Sequence, residues 1–224
     1  MATVDPPLQQ RLRAPYLDDL TPVPPPEGKL TEEEFFAWCR GFDKIRAEWV
    51  DGDTIIMSPV SIRHDDLQGF LKTILRLFVR RNDLGKVYGS EVACRFAARG
   101  RRTVRLPDVL FIAKANLDRI RPTDVNGAPD LAVEIVSPNN PERDYREKFL
   151  DYQSAGVREY WIIDPLNQHV EMSSLDEKTG EFRLIPLTNG RLCSVVLPGF
   201  FLRPEWLWSD PLPAEDDVLR QIGG

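Results

Sequence analysis

A strand–helix–strand succession constrains this chain most. Leu131–Ser137 reads as a strongly apolar strand, residues 142–154 as a helix that stops at Gly156, and Glu159–Ile163 as a second buried strand. Two neighbouring parallel strands need a crossover connection of a dozen or more residues, and a helix is the usual one. Some parallel pairing is therefore expected, in an α/β (α+β) chain with a mixed sheet and helices packed on it. Pro141 fits the first turn of the connecting helix, where its missing N–H costs nothing.

The flanking segments carry their own signals. Residues 1–29 are proline-rich and predict an extended arm. Thr31 followed by Glu34 is a capping box for a short helix through about Arg40. Asp51–Gly52 is a hairpin turn within residues 44–58. Ser61 starts a longer helix on which Leu67, Phe70, Leu71, Ile74, Leu75 and Phe78 keep the 3.6-residue period, ending near Asn82. Strands follow at about 86–98 and at 104–113, then a loop over 114–129. About three more strands are expected up to residue 197. The organisation expected is an arm (1–29), a folded domain (30–205) and an acidic tail (206–224) with one short helix.

Composition narrows the chemistry. The three cysteines, Cys39, Cys94 and Cys193, form no CxxC, which excludes a zinc ribbon and fits a reducing, cytoplasmic setting. Two histidines cannot build a multi-histidine metal site, so a metal here would sit on carboxylates, which select magnesium or manganese. No apolar run approaches the roughly 20 residues of a membrane span, and no apolar leader opens the chain. The net charge is −6, yet residues 61–121 hold 14 Lys/Arg against 6 Asp/Glu. Such asymmetry permits a basic face on an acidic body, or reflects only where surface charges fall.

Glu134 is the odd residue. It lies mid-strand among Val133, Ile135 and Val136, where an unpaired carboxylate must protonate or find a partner. A strand period of two puts it on one face with Asp130 and Ala132. Pro107-Asp108 opens the 104–113 strand, and if the two strands are neighbours Asp108 and Glu134 converge as a minimal magnesium site. Two close carboxylates repel, so at least one should have a raised pKa. Asp144, Lys148 and Tyr152 recur at i, i+4 and i+8 on the connecting helix. Lys148 is then either a cation beside that site or an ordinary exposed partner of Asp144, worth about 0.5 kcal/mol.

These segments resemble a family. "AEWVDGDTIIMSP", "PDVLFI", "PDLAVEIVSPNN", the spaced Asp144, Lys148 and Tyr152, and "GVREYWIIDP" are similar to the Uma-two family of restriction endonucleases, within the PD-(D/E)xK nuclease superfamily. The resemblance spans roughly residues 30–205. It implies a restriction-endonuclease-like mixed β-sheet flanked by helices, with extra N-terminal and C-terminal hairpins, and metal-dependent phosphodiester cleavage. Asp108, Glu134 and Lys148 would be catalytic. Mg2+ or Mn2+ would be held by Asp108, Glu134 and the backbone carbonyl of Ile135, with Glu48 as a further ligand. Val136 occupies the superfamily's usual lysine position, and the resemblance implies that Lys148 has taken over the role from the next helix. His64 matches a family histidine and, with Asp144 and Tyr152, would be accessory. Read alone, Glu48 is equally a surface hairpin carboxylate and His64 a surface histidine.

Two classes of function remain open from the sequence, and within the first the sequence does not separate an enzyme on DNA from one on RNA or another phosphodiester. One is a magnesium-dependent endodeoxyribonuclease on double-stranded DNA, contacting it through Arg99, Arg101 and Arg102 and acting as a homodimer. The other is a non-catalytic DNA- or protein-binding module on a nuclease-like scaffold.

Overall fold

The computed structural model describes residues 27–42, 45–137 and 142–223. The expected arm lies outside these except for its last three residues, and so does Pro141.

Helix α1 (Glu32–Arg40) begins with the reciprocal capping box: Thr31 Oγ1 accepts from Glu34 N, and Glu34 Oε2 accepts from Thr31 N. Strands β1 (Ala47–Val50) and β2 (Asp53–Ile56) pair across Asp51 and Gly52, whose φ angles of 50° and 100° match the twist of a two-residue hairpin. Helix α2 (Ile62–Arg81) is capped by Ser61, whose side chain accepts from His64 N. Strands β3 (Gly85–Gly89), β4 (Ala93–Ala98), β5 (Arg101–Arg105), β6 (Val109–Ala113), β7 (Asp124–Asn126) and β8 (Leu131–Ile135) follow. A π-helical turn over Arg143–Lys148 runs into α3 (Phe149–Ser154). The chain continues through β9 (Glu159–Asp164), β10 (His169–Asp176), β11 (Glu181–Leu184), β12 (Leu192–Cys193), β13 (Phe201–Leu202), α4 (Pro204–Trp208) and α5 (Glu215–Gly223).

Two main sheets form instead of one. The larger has the order β11-β10-β9-β8-β6-β3 and the smaller β2-β1-β5-β4-β7, with β12 and β13 as a separate pair. The crossover expectation holds: β8 and β9 pair in parallel, Leu131 opposite Glu159 and Ile135 opposite Ile163. The other pairs of the larger sheet are antiparallel.

Three expectations need correction. The 104–113 strand is two strands in two different sheets, because Pro107 offers no N–H to either ladder and the chain crosses between sheets at Leu106–Asp108. The 114–129 loop contains a 3-10 turn (Lys114–Arg119) and β7, which adds to β4 in parallel. The 142–154 helix is not uniformly α-helical but opens with the π-helical turn.

β8 is buried on both faces, which explains its continuous apolar run. Leu131, Val133 and Ile135 pack against Leu67, Phe70, Leu71 and Ile74 of α2. Ala132 and Val136 pack with Cys94, Phe96, Tyr152 and Tyr160, between the larger sheet, α3 and the smaller sheet. Glu134 points into this second layer. Beyond residue 205, Val218 and Leu219 of α5 are buried in the α2 layer, so the acidic segment is docked there. Among the described residues no helix is long and apolar enough to cross a membrane.

Candidate active site

The sheet-to-sheet crossing and the end of β8 meet at one cavity. In the antiparallel β6–β8 register Val109 faces Val133, which sets Asp108 beside Glu134 just beyond it. Asp108 Oδ2 accepts from Ile135 N at 2.8 Å, and its Oδ1 lies 3.1 Å from His64 Nε2 and 3.9 Å from an Arg46 nitrogen. His64 reaches it from the first turn of α2, and Gln68 Nε2 donates to the Asp108 carbonyl at 2.8 Å. The two strands and α2 thus fix this aspartate from three sides.

Glu134 is fixed just as closely. Its Oε2 accepts from Lys148 Nζ at 2.7 Å and its Oε1 from the Tyr152 hydroxyl at 2.7 Å. Lys148 also lies 3.0 Å from Asp144 and 3.6 Å from Glu48. Glu48, Glu134 and Lys148 are 0, 1 and 2 % exposed, so the surface readings of Glu48 and Lys148 are both overturned. Glu48 is buried because Arg105 donates to its Oε2 at 2.7 Å and Leu106 N to its Oε1 at 3.2 Å. It therefore ties the hairpin to the crossing. Arg105 continues to Asp151 at 2.5 Å, and its paired carboxylates raise it above the ordinary arginine range despite burial.

The charges are unequal in their comfort. Burial raises Glu134 to about 8, against Lys148, with Asp108, Asp144 and Glu48 adding to the rise. The expected raised carboxyl is present, but desolvation outweighs mutual repulsion as its cause. Burial also opposes ionisation of Glu48, yet Lys148, Arg105 and Arg143 hold it at about 2. Lys148 is an ammonium: burial disfavours its charge, but Glu134, Glu48 and Asp144 push it above the usual lysine range. It cannot act as a base near neutrality.

Asp108, Glu134, Ile135, Asp144, Lys148 and His64 line a cavity of about 310 Å3, rimmed by Ile56, Met57 and Val60. Arg46 and Arg143 line it as well, and the Nε of each is buried without a hydrogen-bond partner. Sequence reasoning missed both arginines. Only their neighbours in sequence, Glu48 and Asp144, gave a signal. A larger cleft of about 700 Å3 beside Phe78, Pro198 and Leu219 brings no carboxylate together. Arg99 and Arg101 lie 4.0 and 3.5 Å from Asp151, and Arg102 pairs with Glu32 at 2.8 Å, so this trio sits on the β4–β5 turn outside the cavity. Tyr160 donates to the Asp144 carbonyl, and His169 is an exposed strand residue beside Glu171.

Among the described residues no three Asp, Glu, His or Cys side chains surround a common point that would hold a metal. Lys148 occupies the space between Glu48, Glu134 and Asp144. Asp108 and Glu134 nonetheless open on one cavity as hard oxygen donors. That donor set fits magnesium or manganese, which take one or two carboxylates and complete their shell with water and phosphate.

The chain belongs to the Uma2 family, whose model, described as "putative restriction endonuclease", matches residues 32–205. Its mixed sheets flanked by helices are similar to the crystal structure of "a putative nuclease belonging to DUF820" from Anabaena variabilis ATCC 29413. The TM-score is 0.58 at 18 % identity, over 72 % of this chain and 89 % of that one. The fold is thus restriction-endonuclease-like, and the family is one of nucleases. No curated protein matches the chain.

Proposed function

We propose that this protein is a divalent-metal-dependent endonuclease that hydrolyses phosphodiester bonds in double-stranded DNA. The observation that carries the reading is the Lys148 ammonium, 2.7 Å from Glu134 in the cavity that Asp108 also lines. Asp108, Glu134 and the Ile135 carbonyl would hold the ion. When bound, it supplies Lewis-acid neutralisation of the phosphate.

The chain's own groups do the rest. Tyr152 and His64 orient Glu134 and Asp108 through the hydrogen bonds described. Lys148 stands as a fixed cation where negative charge grows on the phosphate, an interaction worth about 3–4 kcal/mol of a barrier reduction of roughly 20 kcal/mol. Arg46 and Arg143 add two further guanidinium cations to the cavity lining, a group suited to phosphate oxygens. Two copies would address the two strands of a duplex.

A second reading is favoured by one observation: all four carboxylate oxygens of Asp108 and Glu134 already have donors or cations within reach. In that reading the site is a locked, non-cutting scaffold. Incubation of the purified protein with duplex DNA and with RNA, in Mg2+, Mn2+ or EDTA, decides. Metal-dependent DNA cleavage that Asp108→Asn abolishes supports the nuclease. Stable DNA binding without cleavage in either metal favours the scaffold.

A further inference from the structure

The α2 helix carries one i, i+4 ridge out of the cavity: His64, Gln68, Lys72, Arg76 and Arg80. Four residues exceed one helical turn by about 40°, so such a ridge winds around its helix. Here it winds from the buried side, where His64 and Gln68 meet Asp108, to open solvent at Arg76 and Arg80. Lys72 lies midway over Gly89, with its ammonium 3.0 Å from where a Cβ on that glycine would stand. Gly89 pairs with Val109, the residue after Asp108. The ridge is therefore continuous with the site.

Its outer part borders β3, the edge strand of the larger sheet. Arg76, Arg80, Lys86 and Tyr88 line a groove there of about 430 Å3. The single acid in that lining, Asp83, is paired with Lys114. Among the described residues, Lys72, Arg76, Arg80 and Lys86 make no ion pair. Residues 72–82 contain four basic residues and no acid, in a chain whose net charge is −6. The helix dipole accounts for basic residues in the last turn, Arg80 and Arg81, but not for Lys72, Arg76 or Lys86.

We infer that the ridge Lys72–Arg76–Arg80, with Lys86 across the groove, is the track that carries the nucleic-acid backbone away from the cleavage site. The inference rests on the nuclease reading and adds the surface that binds the substrate beyond the scissile bond. From His64 to Arg80 is about 24 Å along the helix, the axial rise of about seven nucleotides of one strand. Unpaired cations at one-turn intervals suit a repeating phosphate chain, and they carry no base readout. Tyr88 adds an aromatic edge to the same groove.

The test is a binding titration of duplex DNA in EDTA across a salt series, together with Mg2+-dependent cleavage of the same duplex. The variants are the triple reversal Arg76→Glu/Arg80→Glu/Lys86→Glu and a control reversal on the far hairpin, Lys178→Glu/Arg183→Glu. The expected result is a loss of affinity of about tenfold or more in the triple variant, with a log–log salt slope shallower by about 2 to 3. The control should bind like wild type, and thermal melts of all three should coincide, because the reversed side chains are exposed. If the triple variant binds and cleaves the duplex as well as wild type does, the track is wrong and the nuclease reading stands. If binding depends on the ridge but Mg2+ supports no cleavage, the nuclease reading fails and overturns the track as a path from a cleavage site, leaving the ridge as a DNA-binding surface. A wild type that ignores DNA but binds phosphatidylserine vesicles overturns the track in favour of a membrane surface.

Discussion

Lys148 is the residue on which the site balances. Removing it would leave the buried Glu134, Glu48 and Asp144 facing one another without their shared cation. The cost is then not that of an exposed helix pair but about 3–5 kcal/mol, as for a broken buried ion pair. Urea unfolding of Lys148→Ala should show a loss of this size, and Lys148→Met with Glu134→Gln should recover part of it, because both charges are gone. A loss under 1 kcal/mol would mean that the cation is not embedded as described.

Protonation of the same glutamates gives a second expectation. Glu134 at about 8 binds more protons folded than unfolded between pH 4.5 and 8, so its contribution to stability falls as pH rises through that window. Glu48 at about 2 has the opposite sign: stability from it is lost as pH falls from 4.5 toward 2. Metal-free protein should therefore lose stability from pH 5 to pH 8, and Glu134→Gln should flatten that decline. Parallel slopes for the two proteins would contradict the assignment. Glu134 was legible in sequence because an acid inside an apolar strand is an oddity, whereas an acid after proline and a lysine one helical turn from an aspartate are ordinary by themselves, and only the family resemblance singled out Asp108 and Lys148. Arg46 and Arg143 were not legible, since an arginine beside a strand or in a polar helix turn is ordinary until the cavity is seen.

At the level of elements, Leu106–Asp108 does most to build the site. It moves the chain from one sheet to the other and delivers Asp108 to β8. The sequence could not separate this Pro-Asp from Pro129-Asp130, which simply opens β8, where Asp130 accepts from Ala113 N and Asn116. The three-residue β7 was too short to show periodicity. The π-helical turn was hidden because an i, i+4 pair reads alike in either helix type. The crossover and the capped helices were legible because their signals are local. Glu159 holds another junction: its carboxylate accepts from Trp161 Nε1, Ser194 Oγ, Val195 N and Val196 N, and burial raises its pKa. Glu159→Ala leaves these buried donors unpaired and should cost about 1–3 kcal/mol or more, read as a lower urea midpoint. An unchanged midpoint would show that the 194–197 segment does not depend on it.

The whole molecule places the cavity where both sheets, α2 and the π-helical turn converge, with the basic ridge leaving on one side. The C-terminal helix supports α2 from behind through Val218 and Leu219. Truncation after Trp208 should therefore lower stability by roughly 3 kcal/mol or more, from those two side chains alone. Full stability of the truncated chain would show α5 to be dispensable.

The central claim is that the buried Asp108–Glu134–Lys148 centre is a metal-dependent nuclease site. The most direct measurement is the rate of supercoiled-plasmid nicking against Mg2+ concentration, in wild type and in Glu134→Gln. This substitution keeps the shape of the side chain and the Tyr152 contact while removing the carboxylate. Wild type should nick the plasmid with a saturable Mg2+ dependence and stop in EDTA, and Glu134→Gln should be slower by about a hundredfold or more while remaining folded. Equal nicking by both proteins, or nicking that persists in EDTA, would contradict the claim.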